Sequence, residues 1–449
     1  MGAFHAYDIR GVYGVDFDSS LAYKLGYFIP ELLDARQVLV GRDCRVSSQE
    51  IHDALVQGIN DAGADVVDLG LSTTPMVYFG TAYYGFKASV QITASHNAPE
   101  YNGMKVSREN ALPVGLDTGL GQIRQWIEEG RPTPVAEKRG QVIEKDIHDD
   151  YLNYLLKFKR DCSNLKIAFD LSNGMANLVA KDIYGDAPEY IFDRIDGRFP
   201  NHEPNPLVAA NREALCELVR RTGADVGVIF DGDADRVMFV DENADFVAPD
   251  LIIALMSEYF IGERGEKNPT VLQEIRSSKA VGEYLAPMGV RLHTWRVGRA
   301  YAAPKLREID GLWGGELAGH YYFKDFFYSD SGILASEIVL GIVASLKRRG
   351  ISFSQAIARM GGYRNSGEIN FKLDHKKEAM DVLRDYFVGQ ETPTALMDFD
   401  GYRVEFPQWW FNVRPSNTEP YLRFICEATT DELLGQKVAQ ARGIIEKFN

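Results

Sequence analysis

The sequence predicts an α/β fold made of three similar units with mixed or parallel sheets, followed by a smaller α+β unit. A chain of 449 residues is too long for one ordinary core and suggests two to four domains. Short apolar runs alternate with helix-like segments in three successive rounds, each delivering one unusual polar loop, and this rhythm changes after residue 361. The expected units are residues 1–140, 141–245, 246–361 and 362–449.

The composition is that of a globular protein, with 45% hydrophobic and 25% charged residues. A formal charge of −15 argues against nucleic acid or an anionic membrane as a partner, so an anionic substrate would need locally placed basic groups. The four cysteines have no paired spacing, which argues against a disulfide framework or a zinc site. We expect reduced thiols.

Two further observations bear on location. The first ten residues lack the apolar core of a secretory signal. The most apolar later run, 332–346, is interrupted by Ser336 and Glu337 and is too short to span a bilayer, so it predicts a buried helix. The expected location is the cytoplasm.

In the first unit, apolar runs at 38–40, 66–69 and 88–92 predict strands of a mostly parallel sheet. The third delivers Ser95 and His96 to the carboxyl end of the sheet, where ligands bind in such folds. No GxSxG elbow surrounds Ser95, and side chains of adjacent residues diverge, so a hydrolase Ser–His pair is poorly supported. A phosphate-carrying serine fits better. The segment 4–14, which includes Arg10, is expected to be irregular.

In the second unit, a strand predicted over 226–230 runs into three carboxylates at alternate positions, Asp231, Asp233 and Asp235. On an extended segment they would lie on one side, and their repulsion calls for a divalent cation, Mg²⁺ or Ca²⁺. A solvated acidic turn is the alternative. An EF-hand ending at Glu242 is set aside, because Arg236 stands where that loop needs glycine and strands flank the segment.

The third unit carries polar loops after its predicted strands at 270–273 and 290–295, with Arg276 in the first loop and Arg299 in the second. A later loop holds Glu316 and His320, which could bind sugar hydroxyls as acceptor and donor; a capping glutamate and a core histidine are the structural alternatives. Lys105 could move a proton if neighbouring cations lower its pKa, whereas a solvated lysine is the simpler interpretation.

The fourth unit has a polar loop between two of its predicted strands, which suits a phosphate group. The alternative is an ordinary polar turn. The candidate phosphate ligands in this loop are Arg414, Ser416, Asn417 and Thr418.

Taken together, these loops resemble the α-D-phosphohexomutase family, in particular its bacterial phosphomannomutase/phosphoglucomutase branch. The matching segments occur in the same order along almost the whole chain: 6–11, 93–97, 102–105, 231–236, 315–320 and 414–418. The resemblance implies four domains around a central active-site cleft, each giving one loop to the substrate.

The resemblance also implies roles for single residues. Ser95 would be the phosphoserine and would share a Mg²⁺ ion with Asp231, Asp233 and Asp235. Proton transfer and catalysis would involve Arg10, Lys105, His96 and Arg236. The substrate-binding residues would be Tyr7, Arg276, Arg299, Glu316, Ala318, His320, Arg414, Ser416, Asn417 and Thr418.

The implied reaction interconverts hexose 1-phosphate and hexose 6-phosphate through a hexose 1,6-bisphosphate, which also serves as activator. Mannose phosphates are the expected substrates, with glucose phosphates as well, and the protein is expected to be a monomer or dimer. Ala318, where the branch commonly has serine, and Arg299, where many members have histidine, depart from its pattern. The alternatives are a phosphoglucosamine mutase, a sugar-phosphate phosphatase or a non-catalytic sugar-phosphate binding protein.

Overall fold

The computed structural model describes residues 2–416 and 421–448, which form four sheets, each at the centre of one unit. The predicted fold class is confirmed: three units have mixed α/β sheets, and the fourth packs helices on an antiparallel sheet.

The first sheet has the strand order β1-β5-β4-β2-β3-β7, with β6 beside β5. Strands β4, β2, β3 and β7 are parallel, and β5 and β1 run antiparallel to their neighbours. Strand β7 lies beyond residue 140 but pairs with β3 of this sheet. The elements are β1 Ile9–Val12, α1 Ser19–Leu32, β2 Gln37–Arg42, α2 Ser48–Asp61, β3 Asp65–Leu71, α3 Thr74–Tyr83, β4 Ala88–Ile92, β5 Tyr101–Arg108, β6 Leu112–Pro113, α4 Leu120–Glu128 and β7 Val142–Glu144.

The second sheet has the order β12-β11-β10-β8-β9, and the third has the order β14-β13-β15-β16-β17. The second unit contains α5 His148–Leu155, β8 Ile167–Asp170, α6 Ala180–Tyr184, β9 Glu189–Ile191, α7 Glu213–Thr222, β10 Val226–Phe230, β11 Val237–Asp241 and β12 Phe246–Val247. The third contains α8 Pro249–Leu255, β13 Thr270–Glu274, α9 Lys279–Leu285, β14 Arg291–Trp295, α10 Arg299–Glu308, β15 Trp313–Gly315, β16 Tyr321–Phe323, β17 Ser329–Asp330, α11 Gly332–Arg348 and α12 Phe353–Ala358.

The fourth sheet has the order β18-β23-β22-β21-β20, with β19 also paired to β23. Its elements are β18 Arg364–Asn365, β19 Ile369–Lys372, α13 Lys376–Gln390, β20 Ala395–Met397, β21 Tyr402–Glu405, β22 Trp409–Pro415, β23 Tyr421–Ala428 and α14 Asp431–Ile445.

The first three sheets share one topology that determines where their polar loops lie. In each, a central parallel strand is followed by an antiparallel neighbour: β4 by β5, β10 by β11 and β15 by β16. The loops at 93–100, 231–236 and 316–320 connect these pairs and are therefore equivalent. The sequence repeat predicted from rhythm alone corresponds to this repeat of strand order.

One apolar core joins the first three units, and the fourth unit has a core of its own. The joint core includes Tyr78 and Phe79 of α3, the inward faces of the second and third sheets, and most of α11. The prediction of a buried helix at 332–346 is confirmed by α11. Within the described part of the chain, no helix combines the length and apolar character that a bilayer span requires.

The prediction of an irregular segment at 4–14 is wrong in its middle, where β1 pairs with β5 and aligns Arg10 with Gly103. A Cβ atom at Gly103 would come within 2.1 Å of the carbonyl oxygen of Ile9, so this close approach requires glycine. Short strands with few apolar residues give little periodicity, which is why the segment looked irregular.

Candidate active site

Ser95 lies in the loop after β4, with a φ of 52°, and its side chain is buried. Its Oγ donates a hydrogen bond to Oδ2 of Asp231 across 2.8 Å, which joins the first unit to the second. The left-handed backbone also brings Nδ1 of His96 to 3.3 Å from Oγ, although adjacent side chains were expected to diverge. Burial and the nearby Arg236 and Arg10 lower the pKa of His96 well below its usual value.

The acidic loop at 231–236 is a tight turn rather than the extended segment that alternation suggested, and Ala234 within it has a φ of 64°. The turn still brings the three carboxylates together. Ligand oxygens of Asp231, Asp233 and Asp235 lie within 4.8 Å of one another, and all three residues are buried. A Cβ atom at Gly232 would lie 2.5 Å from the carbonyl oxygen of Ser95, so the two loops fit closely only with glycine here.

Lys105 on β5 supplies positive charge to this cluster, because its Nζ lies 2.6 Å from carboxylate oxygens of both Asp233 and Asp235. Burial opposes the charged amine, but the two carboxylates outweigh it and raise the pKa of Lys105. This direction is opposite to the lowering by neighbouring cations that was considered from the sequence for a proton-transfer role. The hydroxyl of Thr74, at the start of α3, also donates to Asp233.

Two oxygens of the cluster have no hydrogen-bond partner among the described residues: Oδ1 of Asp233 and Oδ1 of Asp235, both buried. Unpaired buried carboxylate oxygens are costly, and a hard divalent cation such as Mg²⁺ prefers such ligands. The residues present thus fit a cation. Glu242 takes no part, because its carboxylate binds Ser354, and this agrees with setting the EF-hand aside.

The second and third units meet at the candidate site through Arg236 and His320. Nε of Arg236 donates to Nε2 of His320 across 2.9 Å, and Nδ1 of His320 lies 2.7 Å from Oδ2 of Asp330. Arg299 donates to the other oxygen of Asp330 at 2.8 Å and to the carbonyl of Ala111, with its guanidinium over the ring of Tyr78. Arg299 therefore contacts protein groups of two units.

The loop after β15 presents Glu316, Ala318 and His320. Oε1 of Glu316 accepts hydrogen bonds from the backbone N–H of Gly298 and the hydroxyl of Tyr322, and burial raises the pKa of Glu316. Ala318 is half-buried and adds no polar group. A sugar hydroxyl can reach a ring nitrogen of His320 only by replacing a present partner.

Two predicted residues of the first unit contact other parts of the site. Arg10 donates to Asp8 and, at 2.9 Å, to the side-chain oxygen of Asn97 in the Ser95 loop. The hydroxyl of Tyr7 donates to the carbonyl of Val297 at 3.1 Å, and its ring lies against Gly298 of the third unit.

A basic cluster lies where the third and fourth units meet. Arg276 binds Glu274 and Glu368, and Arg414 lies 3.4 Å from Asp400. Burial, followed by repulsion from Arg276, lowers the pKa of Arg414, and its Nε has no hydrogen-bond partner among the described residues. The backbone N–H of Ser416 donates to the carbonyl of Tyr421. The predicted Asn417 and Thr418 lie outside the described residues.

Sequence reasoning missed Arg45, which is completely buried beside the Ser95 loop. Its guanidinium donates to four carbonyl groups, those of Ser95, Asn97, Ala98 and Tyr101, at 2.6 to 3.1 Å. Asp330 was also missed. The signal for Arg45 was weak: an arginine five residues beyond the parallel strand predicted at 38–40, where ligand loops occur.

Comparisons with known proteins agree with this architecture. Family models described as "Phosphoglucomutase/phosphomannomutase" domains match in chain order, with alpha/beta/alpha domains I, II and III at residues 1–132, 149–244 and 248–363 and the C-terminal domain at 368–443.

A phosphomannomutase from Escherichia coli is 35% identical over 447 residues, covering 96% of each chain. A phosphomannomutase from Methanocaldococcus jannaschii is 32% identical over 454 residues, covering 99% of this chain and 98% of its own. The crystal structure of a phosphoglucomutase/phosphomannomutase family protein from Burkholderia thailandensis has a TM-score of 0.87 at 28% identity, covering 99% of this chain and 97% of that one. The chain therefore belongs to the phosphoglucomutase/phosphomannomutase family and is an isomerase of the phosphohexomutase type.

Proposed function

We propose that this protein interconverts mannose 1-phosphate and mannose 6-phosphate, and acts on glucose phosphates as well, through a phosphoserine at Ser95. The observation that carries the proposal is the 2.8 Å contact between Oγ of Ser95 and Asp231, beside two orphaned carboxylate oxygens. A phosphoryl group on this oxygen would enter a site whose carboxylates need a cation. The substrates are small hexose phosphates, and we expect a cytoplasmic monomer or dimer.

In the proposed reaction, the free hydroxyl of a hexose 1-phosphate attacks the phosphorus on Ser95 and gives up its proton to the groups around Oγ, while the bond between phosphorus and Oγ breaks. The product, a hexose 1,6-bisphosphate, turns over and returns its other phosphoryl group to Oγ. Mg²⁺ bound by Asp231, Asp233 and Asp235 would neutralise phosphoryl charge. A trace of free hexose 1,6-bisphosphate would serve as activator by phosphorylating unmodified Ser95.

Proton transfer in this reaction is assigned to groups around Oγ. Nδ1 of His96 is 3.3 Å from Oγ, and Arg10 holds the Ser95 loop through Asn97. Lys105, bound between Asp233 and Asp235, contributes mainly its positive charge. Arg236, whose backbone N–H donates to Asp231, completes the set.

The distal phosphate is assigned to the basic cluster between the third and fourth units. Arg414 has a buried Nε without a partner in the described structure, and Arg276 lies near enough to lower its pKa by repulsion. A phosphate dianion would relieve that repulsion and take up the free donor. Ser416, Asn417 and Thr418 are assigned to the same phosphate, and Tyr7, Arg299, Glu316, Ala318 and His320 to the sugar side.

The test incubates the protein with mannose 1-phosphate, Mg²⁺ and a trace of glucose 1,6-bisphosphate, and follows mannose 6-phosphate. Ser95→Ala should keep the fold and lose nearly all turnover, while Ser20→Ala, at an exposed position of α1, should behave as wild type. Mass spectrometry should find one phosphoryl group on Ser95. Full turnover by Ser95→Ala would refute the phosphoserine.

The same assay separates the alternatives. Parallel rates on mannose, glucose and glucosamine phosphates identify the preferred sugar, and a much higher rate on glucosamine 6-phosphate would make the protein a phosphoglucosamine mutase. Release of inorganic phosphate as the main product would instead indicate a phosphatase.

A further inference from the structure

Glu337 on α11 is a buried carboxylate that takes no part in the candidate active site. Its exposed fraction is 2%, and neither of its oxygens has a hydrogen-bond partner among the described residues. No lysine, arginine or histidine of the described chain forms an ion pair with it. Its neighbour Ser336, in contrast, pairs with the hydroxyl of Tyr184 at 2.7 Å.

Glu337 lines a cavity of about 330 Å³ between α11 and the second unit. The cavity is separate from the candidate active site, since none of the proposed catalytic, metal or substrate residues lines it. Its apolar wall includes Cys162, Leu165, Ile167, Tyr184 and Pro188, and the charged residues Lys159, Arg160 and Asp161 also line it. A volume of this size lies within the range of small-molecule sites.

An ionised carboxylate without a partner costs several kcal/mol to bury, so such groups are protonated or paired. Burial raises the pKa of Glu337 well above its usual value, and the charge of Lys159 opposes this only in part. A ligand that brings a positively charged donor would remove the cost of burial and satisfy both oxygens.

We propose that this cavity is a binding site for a small organic amine whose apolar body packs against the cavity walls and whose ammonium group binds Glu337. The proposal is independent of the mutase function, because it rests only on the cavity and its unpaired carboxylate. The position of the cavity between the second unit and α11 means that an occupant would touch both.

The test measures binding of 2-phenylethylamine, with propylbenzene and 3-phenylpropionate as neutral and acidic counterparts, by ligand-observed NMR on the full chain. The amine should bind wild type, and Glu337→Gln should weaken it by about tenfold or more while mutase turnover is unchanged. Propylbenzene and 3-phenylpropionate should each show the same binding to wild type and to Glu337→Gln. Equal binding of the amine to both, or no binding at millimolar concentration, would overturn the proposal.

A second variant and a second readout keep the test informative if Glu337→Gln folds poorly. Glu337→Leu removes the buried carboxyl at an apolar helix position, so we expect a higher melting temperature and no amine binding. Maleimide labelling then locates the ligand: the amine should protect the half-buried Cys162 and leave Cys216, on α7, unprotected. If saturating amine leaves the maleimide labelling of Cys162 unchanged, the amine does not occupy the cavity, and the site is refuted.

Discussion

Nε of Arg236 donates a hydrogen bond to Nε2 of His320 across 2.9 Å. Because an arginine nitrogen can only donate, Nε2 must offer its lone pair, and the ring proton is then on Nδ1. That proton is donated to Oδ2 of Asp330 at 2.7 Å. The imidazole is thus fixed as one neutral tautomer between the acidic loop of the second unit and β17 of the third.

This geometry makes Asp330 a positioning residue for His320. Asp330→Asn cannot accept from both His320 and Arg299 with equal strength, so the ring loses its fixed tautomer. We expect kcat to fall by about tenfold or more, a usual cost for removing the partner that orients a functional histidine. Steady-state kinetics test the rate, and ¹⁵N NMR of His320 tests the tautomer. Asp310→Asn, at an exposed site of the same unit, is the control, and a wild-type rate in Asp330→Asn would contradict the role.

For the acidic cluster, we predict that Asp231→Asn stabilises the metal-free protein and removes its stabilisation by Mg²⁺. In metal-free protein, Asp231 is buried against Asp233 and Asp235, and Asp231→Asn removes one of three like charges while keeping an acceptor for Ser95. The metal-free variant should be more stable by roughly 1–4 kcal/mol, and its melting temperature should no longer rise with Mg²⁺. Scanning fluorimetry with EDTA or Mg²⁺ measures both effects. Exposed Asp245→Asn should respond as wild type does, and a full Mg²⁺ response in Asp231→Asn would exclude a role as ligand.

Arg45 is expected to hold the Ser95 loop in its working conformation. Arg45→Lys keeps the charge but cannot serve four carbonyl groups, because an ammonium has three donors and no planar fork. Hydrogen exchange at residues 95–101 should accelerate and kcat should fall, whereas exposed Arg198→Lys should change neither. Guanidinium ions should restore part of the activity of Arg45→Ala. Wild-type exchange in Arg45→Lys would rule out this role.

Much of the candidate site could be predicted because it follows local rules. Ser95 was predicted from the rule that parallel strands deliver their loops to one edge of a sheet, and Asp231 from its place among three carboxylates at alternate positions. The spacing of the carboxylates correctly predicted their proximity, although the reason given was wrong. A turn with a left-handed Ala234 brings them together, and sequence alternation does not reveal such a turn.

The contacts between units could not be predicted, since they join residues far apart in the chain. Arg299 departs from the family pattern only as a change of residue type, and its bonds to Asp330 and Ala111 depend on how two units pack. The same holds for Arg45. Its carbonyl partners occupy a loop about 50 residues later in the chain. The periodicity of apolar residues gives no sign of a side chain that binds backbone groups.

Two buried carboxylates face each other where the third and fourth units meet. The backbone N–H of Ser278 donates to Asp250 at 2.7 Å, and its hydroxyl donates to Glu427 at 2.6 Å. Burial, followed by the charge of Glu427, raises the pKa of Asp250 from 3.8 to about 7. Burial also raises the pKa of Glu427, although Trp410, Asn365 and Arg403 oppose the shift. Ionisation of Asp250 therefore costs stability in the folded protein.

The pH dependence follows from the sign of this shift. The pKa of Asp250 is higher in the folded than in the unfolded chain, so its contribution to stability is largest below about pH 4 and is lost as the pH rises to about 7. Glu427→Gln removes the neighbouring charge and keeps an acceptor for Ser278, so the loss over that range should become smaller. Urea midpoints measured at several pH values test this, with exposed Glu432→Gln on α14 as the control. The slope of the urea midpoint against pH is the quantity to compare, because the substitution also changes hydrogen bonds at every pH. An unchanged slope in Glu427→Gln would show that the two carboxylates are not coupled.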